Sequence, residues 1–265
     1  IETLSEVTQI AASGKHSCAL RGDGSVWCWG ANNFAQLGDG TRQFRSTPVR
    51  VLQLPMALAI AVNDTTSCAL VEGGGVWCWG THVVGESLWP QRIAGYGDAR
   101  ELVAAQSAIC AVGRQAWCHG VLFDHLAEAA TTVAWQKSLN EIAVDKMELC
   151  ILDESADMWC WGRPDRLSEI VSEPLREELD GPVASLFMLD YGVCAVLEDG
   201  RVFCRYGPNL GDSANPMRQV DGVADIKGIA GGLSEICLLR GNGTVWCSRD
   251  SAFWSDGSDR VAEMK

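Results

Sequence analysis

The chain has 265 residues, and its 34 Asp and Glu outweigh 21 Lys and Arg to give a formal net charge of −13. An acidic surface without a Lys/Arg cluster repels a phosphate backbone, so nucleic-acid binding is not expected. No apolar stretch reaches the length of a membrane span, so membrane insertion is not expected either.

Twelve cysteines fall in six pairs, and the first members of the pairs follow one another at 50, 42, 40, 44 and 43 residues. That is an internal repeat of about 43 residues. In the first copy the apolar run Thr8–Ala12 reads as a strand. His16-Ser17-Cys18-Ala19-Leu20 and Val26-Trp27-Cys28-Trp29-Gly30 then flank Gly22-Asp23-Gly24, a hairpin signal with a turn suited to positive φ. A turn centred there opposes 20 to 26, 19 to 27 and 18 to 28, so Cys18 faces Cys28 across the hairpin. Pro48–Leu52 follows as a fourth, edge-tolerant strand.

The second copy repeats the pattern with Leu58–Val62, Cys68, Cys78 and Pro90–Ile93. In the third, Cys110 and Cys118 are eight apart rather than ten. Both separations are even, so a hairpin shortened by one residue per strand still puts the thiols on one face. The fourth copy carries Ile142–Val144, Cys150 and Cys160. The fifth carries Cys194, Cys204 and Pro216–Val220. The sixth carries Ile229–Ala230, Cys237 and Cys247, with Arg260–Met264 as its outer strand; Ile1–Glu6 is expected to complete the sheet of this last copy. The expected fold is all-β, a β-propeller of six four-stranded blades, each with an intra-blade disulfide. The chain reads as one domain over residues 1–265, with blades near 7–52, 57–94, 100–137, 141–180, 183–221 and 225–265.

His16-Ser17-Cys18-Ala19-Leu20, Gly24-Ser-Val-Trp-Cys-Trp-Gly30, Gln36-Leu37-Gly38-Asp39-Gly40-Thr41 and Pro48-Val49 resemble the repeat of the regulator-of-chromosome-condensation propellers. The cysteine-bearing form is similar to secreted bacterial members. The resemblance fades along the chain: Asn209-Leu210-Gly211-Asp212 is a fragment of the Gly-Asp-Gly phrase, and copies three, four and six lack it.

No catalytic constellation stands out, and no enzyme activity and no cofactor are expected. His16 belongs to the repeat phrase and reads as structural, His119 replaces a Trp, and His82 and His125 fall in predicted loops. No Cys-x-x-Cys or Cys/His spacing suggests a metal site. The sequons at Asn63 and Asn242 read as accidental. Paired thiols indicate an oxidising compartment, so the protein is expected to be secreted, periplasmic or surface-displayed, with Ile1 read as the start of a processed or trimmed chain.

Trp27, Trp29, Trp77, Trp79, Trp117, Trp159, Trp161 and Trp246 surround the second cysteines and read as packing between blades. Phe34, Phe44, Trp89, Phe123, Trp135, Phe253 and Trp254 lie in or near the loops after the hairpins, Ala31–Ser46, Thr81–Leu88, Val121–Ala134 and Arg163–Leu179 among them. These loops differ most between copies, the usual arrangement of a binding surface on a rigid scaffold. The expectation is a non-catalytic protein that engages a protein partner through loops on one face. The resemblance extends to propeller-type beta-lactamase inhibitory proteins, which implies enzyme inhibition as one form of such binding. The alternative is a glycan-binding adhesin or lectin. The last alternative is a nucleotide-exchange role like that of nuclear relatives, which the thiols disfavour.

Overall fold

The computed structural model describes residues 4–81, 87–94, 98–104, 108–113, 116–122, 125–132, 139–144, 148–162, 174–189, 192–206, 217–231, 236–248 and 262–263. The chain parts into two compact units, Ile1–Gln136 and Lys137–Lys265.

In the first unit the strands are Val7–Ala12 (β1), His16–Arg21 (β2), Val26–Gly30 (β3), Arg45–Arg50 (β4), Ala57–Val62 (β5), Thr66–Val71 (β6), Gly75–Gly80 (β7), Ser87–Ile93 (β8), Glu101–Ala104 (β9), Ala108–Val112 (β10), Ala116–Leu122 (β11) and His125–Thr132 (β12). They form the antiparallel sheets β1-β2-β3-β4, β5-β6-β7-β8 and β9-β10-β11-β12. In the second unit they are Leu139–Val144 (β13), Glu148–Asp153 (β14), Met158–Gly162 (β15), Leu175–Arg176 (β16), Val183–Leu189 (β17), Gly192–Leu197 (β18), Val202–Tyr206 (β19), Arg218–Gln219 (β20), Ile226–Gly231 (β21), Ile236–Arg240 (β22), Val245–Ser248 (β23) and Ala262–Glu263 (β24). These again pair in sequence order, four strands to a sheet.

The hairpin register is the one the turn residues dictate: Leu20 faces Val26, Ala19 faces Trp27 and Cys18 faces Cys28. The shortened third hairpin still pairs Cys110 with Cys118. Disulfides close Cys18–Cys28, Cys68–Cys78, Cys110–Cys118, Cys150–Cys160, Cys194–Cys204 and Cys237–Cys247, each within one sheet. Their Cα atoms stand 4.0 to 4.1 Å apart, the close approach of a facing antiparallel pair. The first strands carry a register shift at one recurring place, between Val7 and Gln9, Ala57 and Ala59, Leu139 and Glu141, Val183 and Ser185, and Ile226 and Gly228. Such an extra residue raises the local twist.

Three readings of the sequence change. Val121–Ala134 is not a loop: β11 and β12 form a hairpin in which Gly120 faces Ala127 and Leu122 faces His125. With no proline and no Gly-Asp-Gly to break it, this segment keeps pairing, and His125 opens a strand rather than sitting in a loop. The N-terminal residues do not join the last sheet. Glu6 accepts a backbone hydrogen bond from Gly22 and Ser5 accepts one from the Arg21 side chain, while the last sheet has its own fourth strand, β24. The Pro-led strands also start earlier or end sooner than expected, as β4 over Arg45–Arg50 and β20 over Arg218–Gln219.

Within each unit the sheets stack with one polarity. The cysteine face of one sheet packs on the opposite face of the next. Cys18, Cys28, Leu20 and Val26 meet Ile60, Ala69 and Trp79, and Cys68, Cys78 and Val76 meet Leu102, Ile109 and Ala111. In the second unit Cys150, Cys160 and Met158 meet Leu186, Val193 and Phe203. Cys194, Cys204 and Val196 meet Ile226, Ile229 and Leu238. The disulfides therefore serve as apolar core as well as cross-links.

Candidate functional site

The best-built loop joins β3 to β4. Gly38 and Gly40 have φ of 65° and 78°, values that side chains rarely adopt. A Cβ on Gly38 would lie 2.8 Å from the Trp79 indole nitrogen, and one on Gly40 would collide with the Trp89 ring. Asn32 and Gln36 are fully buried. The Asn32 side chain donates to Asp39 Oδ1 (3.1 Å) and Thr41 O (3.0 Å) and accepts from Leu37 N (3.0 Å). Asp39 also accepts from Thr41 N and Oγ1 and pairs with Arg45 at 2.9 Å. Burial raises the Asp39 pKa, but the hydrogen bonds from Thr41, Arg45 and Asn32 outweigh it and the net shift is downward, so the carboxylate stays charged.

The loop is also bolted to the second sheet. Gln36 Nε2 donates to Asp64 O (3.2 Å), while Gln36 O accepts from Ser67 Oγ (2.8 Å) and Trp79 Nε1 (2.9 Å). His16 Nε2 lies 2.7 Å from Ser67 Oγ. His16 is buried, and desolvation lowers its pKa to about 4 against the pull of Asp64. Its structural role is thereby explained: it is a neutral hydrogen-bonding partner between sheets.

What this frame presents outward is Asn33, Phe34, Arg42, Gln43 and Phe44, all exposed. Phe34 is 36% and Phe44 67% exposed. The Arg42 guanidinium donates to Asn33 O at 3.2 Å, tying the two arms of the loop together. Trp89 differs from the expectation for a loop anchor: it lies in β8, half-buried, with its ring edge against Gly40. Phe123, Trp135, Phe253 and Trp254 lie outside the described residues, as does His82. Sequence reasoning missed Arg42 and Gln43, whose signal was only their place between two aromatics.

The tryptophans beside the second cysteines are not uniformly core. Trp79 is 1% exposed, whereas Trp27, Trp77, Trp159 and Trp246 are half-buried. The indole of Trp27 donates to Ser25 Oγ (3.2 Å) and that of Trp159 to Asp153 Oδ2 (3.1 Å), so their polar edges reach toward the hairpin turns.

In the second unit Arg205 pairs with Glu148 and, at 2.6 Å, with Glu177. Burial opposes the charge on Arg205, and the two carboxylates outweigh it, so its pKa rises. Glu148, Cys150 and Cys160 lie close enough to suggest a metal site. Both sulfurs are tied in one disulfide and Glu148 is engaged by Arg205, so this group lacks the free thiolates that metal binding requires. Of the sequons, Asn63 is buried and caps its turn through Thr65 N and Thr66 N, while Asn242 is exposed in the last hairpin turn.

Two family models, both described as the regulator of chromosome condensation (RCC1) repeat, match residues 7–36 and 23–70. The Saccharomyces cerevisiae protein Prp20p superposes with a TM-score of 0.78 at 17% identity, over 98% of this chain and 77% of its own. Human WBSCR16 gives 0.78 at 16% identity, over 99% and 81%. The ectodomain of the Arabidopsis thaliana receptor kinase ACR4 gives 0.62 at 17% identity, over 92% and 79%. The fold is that of an RCC1-type repeat propeller. The matched residues of the propeller are those where the Gln-Leu-Gly-Asp-Gly loop is complete, which is also where its hydrogen bonding is densest.

Proposed function

We propose that the protein is a non-catalytic binding module whose six sheets act as six blades, and that it engages a protein partner through the loop between β3 and β4. The observation that carries this is the contrast inside that loop. Its backbone is held by buried Asn32 and Gln36, while Phe34 and Phe44 stand exposed on it. Aromatic side chains on a pre-ordered frame bind at low entropic cost and are frequent interface anchors. Structural neighbours support a protein partner: one is the yeast RCC1 protein Prp20 bound by Kap60, and Prp20p is described with binding properties to Gsp1p and histones. Twelve cysteines with none free support a location in an oxidising compartment outside the cytosol.

The test is affinity capture with the disulfide-intact protein from its native surroundings, followed by calorimetry with the purified partner. Phe34→Ala/Phe44→Ala is expected to weaken binding about 10- to 100-fold, the range of hot-spot aromatics. Stability should change by less than about 0.5 kcal/mol, as for exposed positions. Unchanged affinity in the double variant would remove this loop from the interface.

A further inference from the structure

The last hairpin departs from its siblings at two matched positions. Arg240 lies three residues after the first cysteine of its pair, where the fourth sheet has Asp153 and the first has Arg21. Trp246 lies one residue before the second cysteine, where those sheets have Trp159 and Trp27 and the fifth has Phe203. In each sibling the polar groups at this corner are answered from within the chain. Asp153 accepts from the Trp159 indole, and Ser25 accepts from that of Trp27. Arg21 pairs with Glu6 and Asp23. Arg201 lies over the Phe203 ring at 5.6 Å and is held by Asp199 at 2.8 Å.

In the last hairpin the guanidinium of Arg240 lies over the Trp246 ring at 5.1 Å. The counterpart of Ser25, Thr244, turns its hydroxyl to Asn242. Arg240 Nε and Trp246 Nε1 are both screened from solvent, and neither has a hydrogen-bond partner among the described residues. Buried donors in native proteins are nearly always satisfied, so two at one corner mark a missing acceptor. Arg240 and Trp246 line an open pocket of about 220 Å³ with Gly222, Val223, Ile226 and Leu238.

We propose that this pocket is a binding site for a carboxylate carried on a short apolar stem, with Arg240 and Trp246 donating to its oxygens. The acceptor type follows from the siblings, where Asp153, Asp23 and Asp199 supply carboxylates at this corner. The planar guanidinium fork suits a carboxylate, and the indole adds a second donor that cannot accept, which selects an anion over an amide. Val223, Ile226 and Leu238 would take the stem. Repulsion from the acidic surface is screened beyond roughly 8–10 Å at physiological salt, whereas the contact with Arg240 is not. The carboxylate can come from an acidic side chain or from a free chain terminus. The site does not depend on the Phe34–Phe44 loop.

The probe is the full chain labelled with 15N, read at the indole N–H of Trp246, which is assigned by its loss in Trp246→Phe. Acetate and succinate are each expected to shift that signal saturably, while acetamide and chloride at matched ionic strength leave it in place. Arg240→Gln should weaken the succinate midpoint at least tenfold with the other indole signals unmoved, and Arg240→Lys should weaken it as well, because it keeps the charge and loses the fork. Two peptides distinguish the source: one blocked at both ends with a single glutamate, one with a free C-terminus and no acidic side chain. An equal shift with acetamide or chloride, no saturable shift with any carboxylate, or an unchanged midpoint in both Arg240 variants would overturn the proposal.

Discussion

The junction between the first and second sheets and that between the fourth and fifth sheets use the same positions for opposite chemistry. Trp79 and Arg205 each follow the second cysteine of their hairpins, and each reaches back to the preceding sheet. Trp79 donates to Gln36 O in a neutral, tightly packed lock. Arg205 enters an ionic one with Glu148 and Glu177. Glu148 occupies the place of His16, two residues before the first cysteine, and His16 in turn bonds to Ser67 of the next sheet. The repeat therefore conserves a direction of contact more strictly than a residue type. Hairpin register aims the side chain, and whatever stands there finds a partner on the sheet before it.

The largest expected effect breaks the ionic junction. Arg205→Met removes the only cation that answers the two carboxylates in this cluster and leaves them half to fully buried, which is expected to cost about 3–5 kcal/mol in urea unfolding. Replacing all three members together, with Glu148→Gln and Glu177→Gln added, should recover most of that loss, since uncharged groups carry a smaller desolvation cost. If the triple variant is no more stable than Arg205→Met, the arginine acts through packing rather than by charge.

Acid should distinguish the two junctions next. In the unfolded chain His16 takes up its proton near pH 6.5, but in the folded protein only near pH 4, because burial disfavours the charged ring. Between those values the unfolded state binds more protons, so stability contributed by neutral His16 is complete above pH 6.5 and is lost as pH falls toward 4. The shift corresponds to at most about 3 kcal/mol. Urea unfolding at pH 7 and pH 4 for the parent and for His16→Gln isolates it: the parent should lose up to that much more than the variant. Equal acid losses would mean that His16 is not what titrates at the first junction.

Much of this was legible in the residues. Even cysteine spacing marks the register, and Gly22-Asp23-Gly24 fixes the turn, so Cys18 facing Cys28 follows from local chemistry alone. The aromatic residues were harder to place. Trp89 follows a divergent loop and looks like an anchor, yet it covers Gly40, a contact 49 positions away in the chain that no local pattern encodes. Phe34 and Phe44 show the converse. Their exposure depends on Asn32, Gln36 and Asp39 consuming every nearby backbone group, and that network becomes visible only when the loop is closed. Arg205 was silent for the same reason, since its partners Glu148 and Glu177 come from another sheet.

The smallest effect tests whether the neutral lock depends on packing or on its hydrogen bond. Trp79→Phe keeps an aromatic ring against Gly38 and Leu37 but removes the indole N–H and part of the volume. Gln36 O retains Ser67 Oγ as a donor, so the carbonyl is not orphaned. The expected cost is then one net hydrogen bond plus a small cavity, about 1–2 kcal/mol. Adding Ser67→Ala removes the second donor from Gln36 O and an acceptor from His16. The two substitutions should therefore cost more together than the sum of their separate effects, by about 1 kcal/mol in a double-mutant cycle. Strict additivity would mean that Trp79 holds the first junction by shape alone, and that the polar contacts around Gln36 order the loop without binding the sheets.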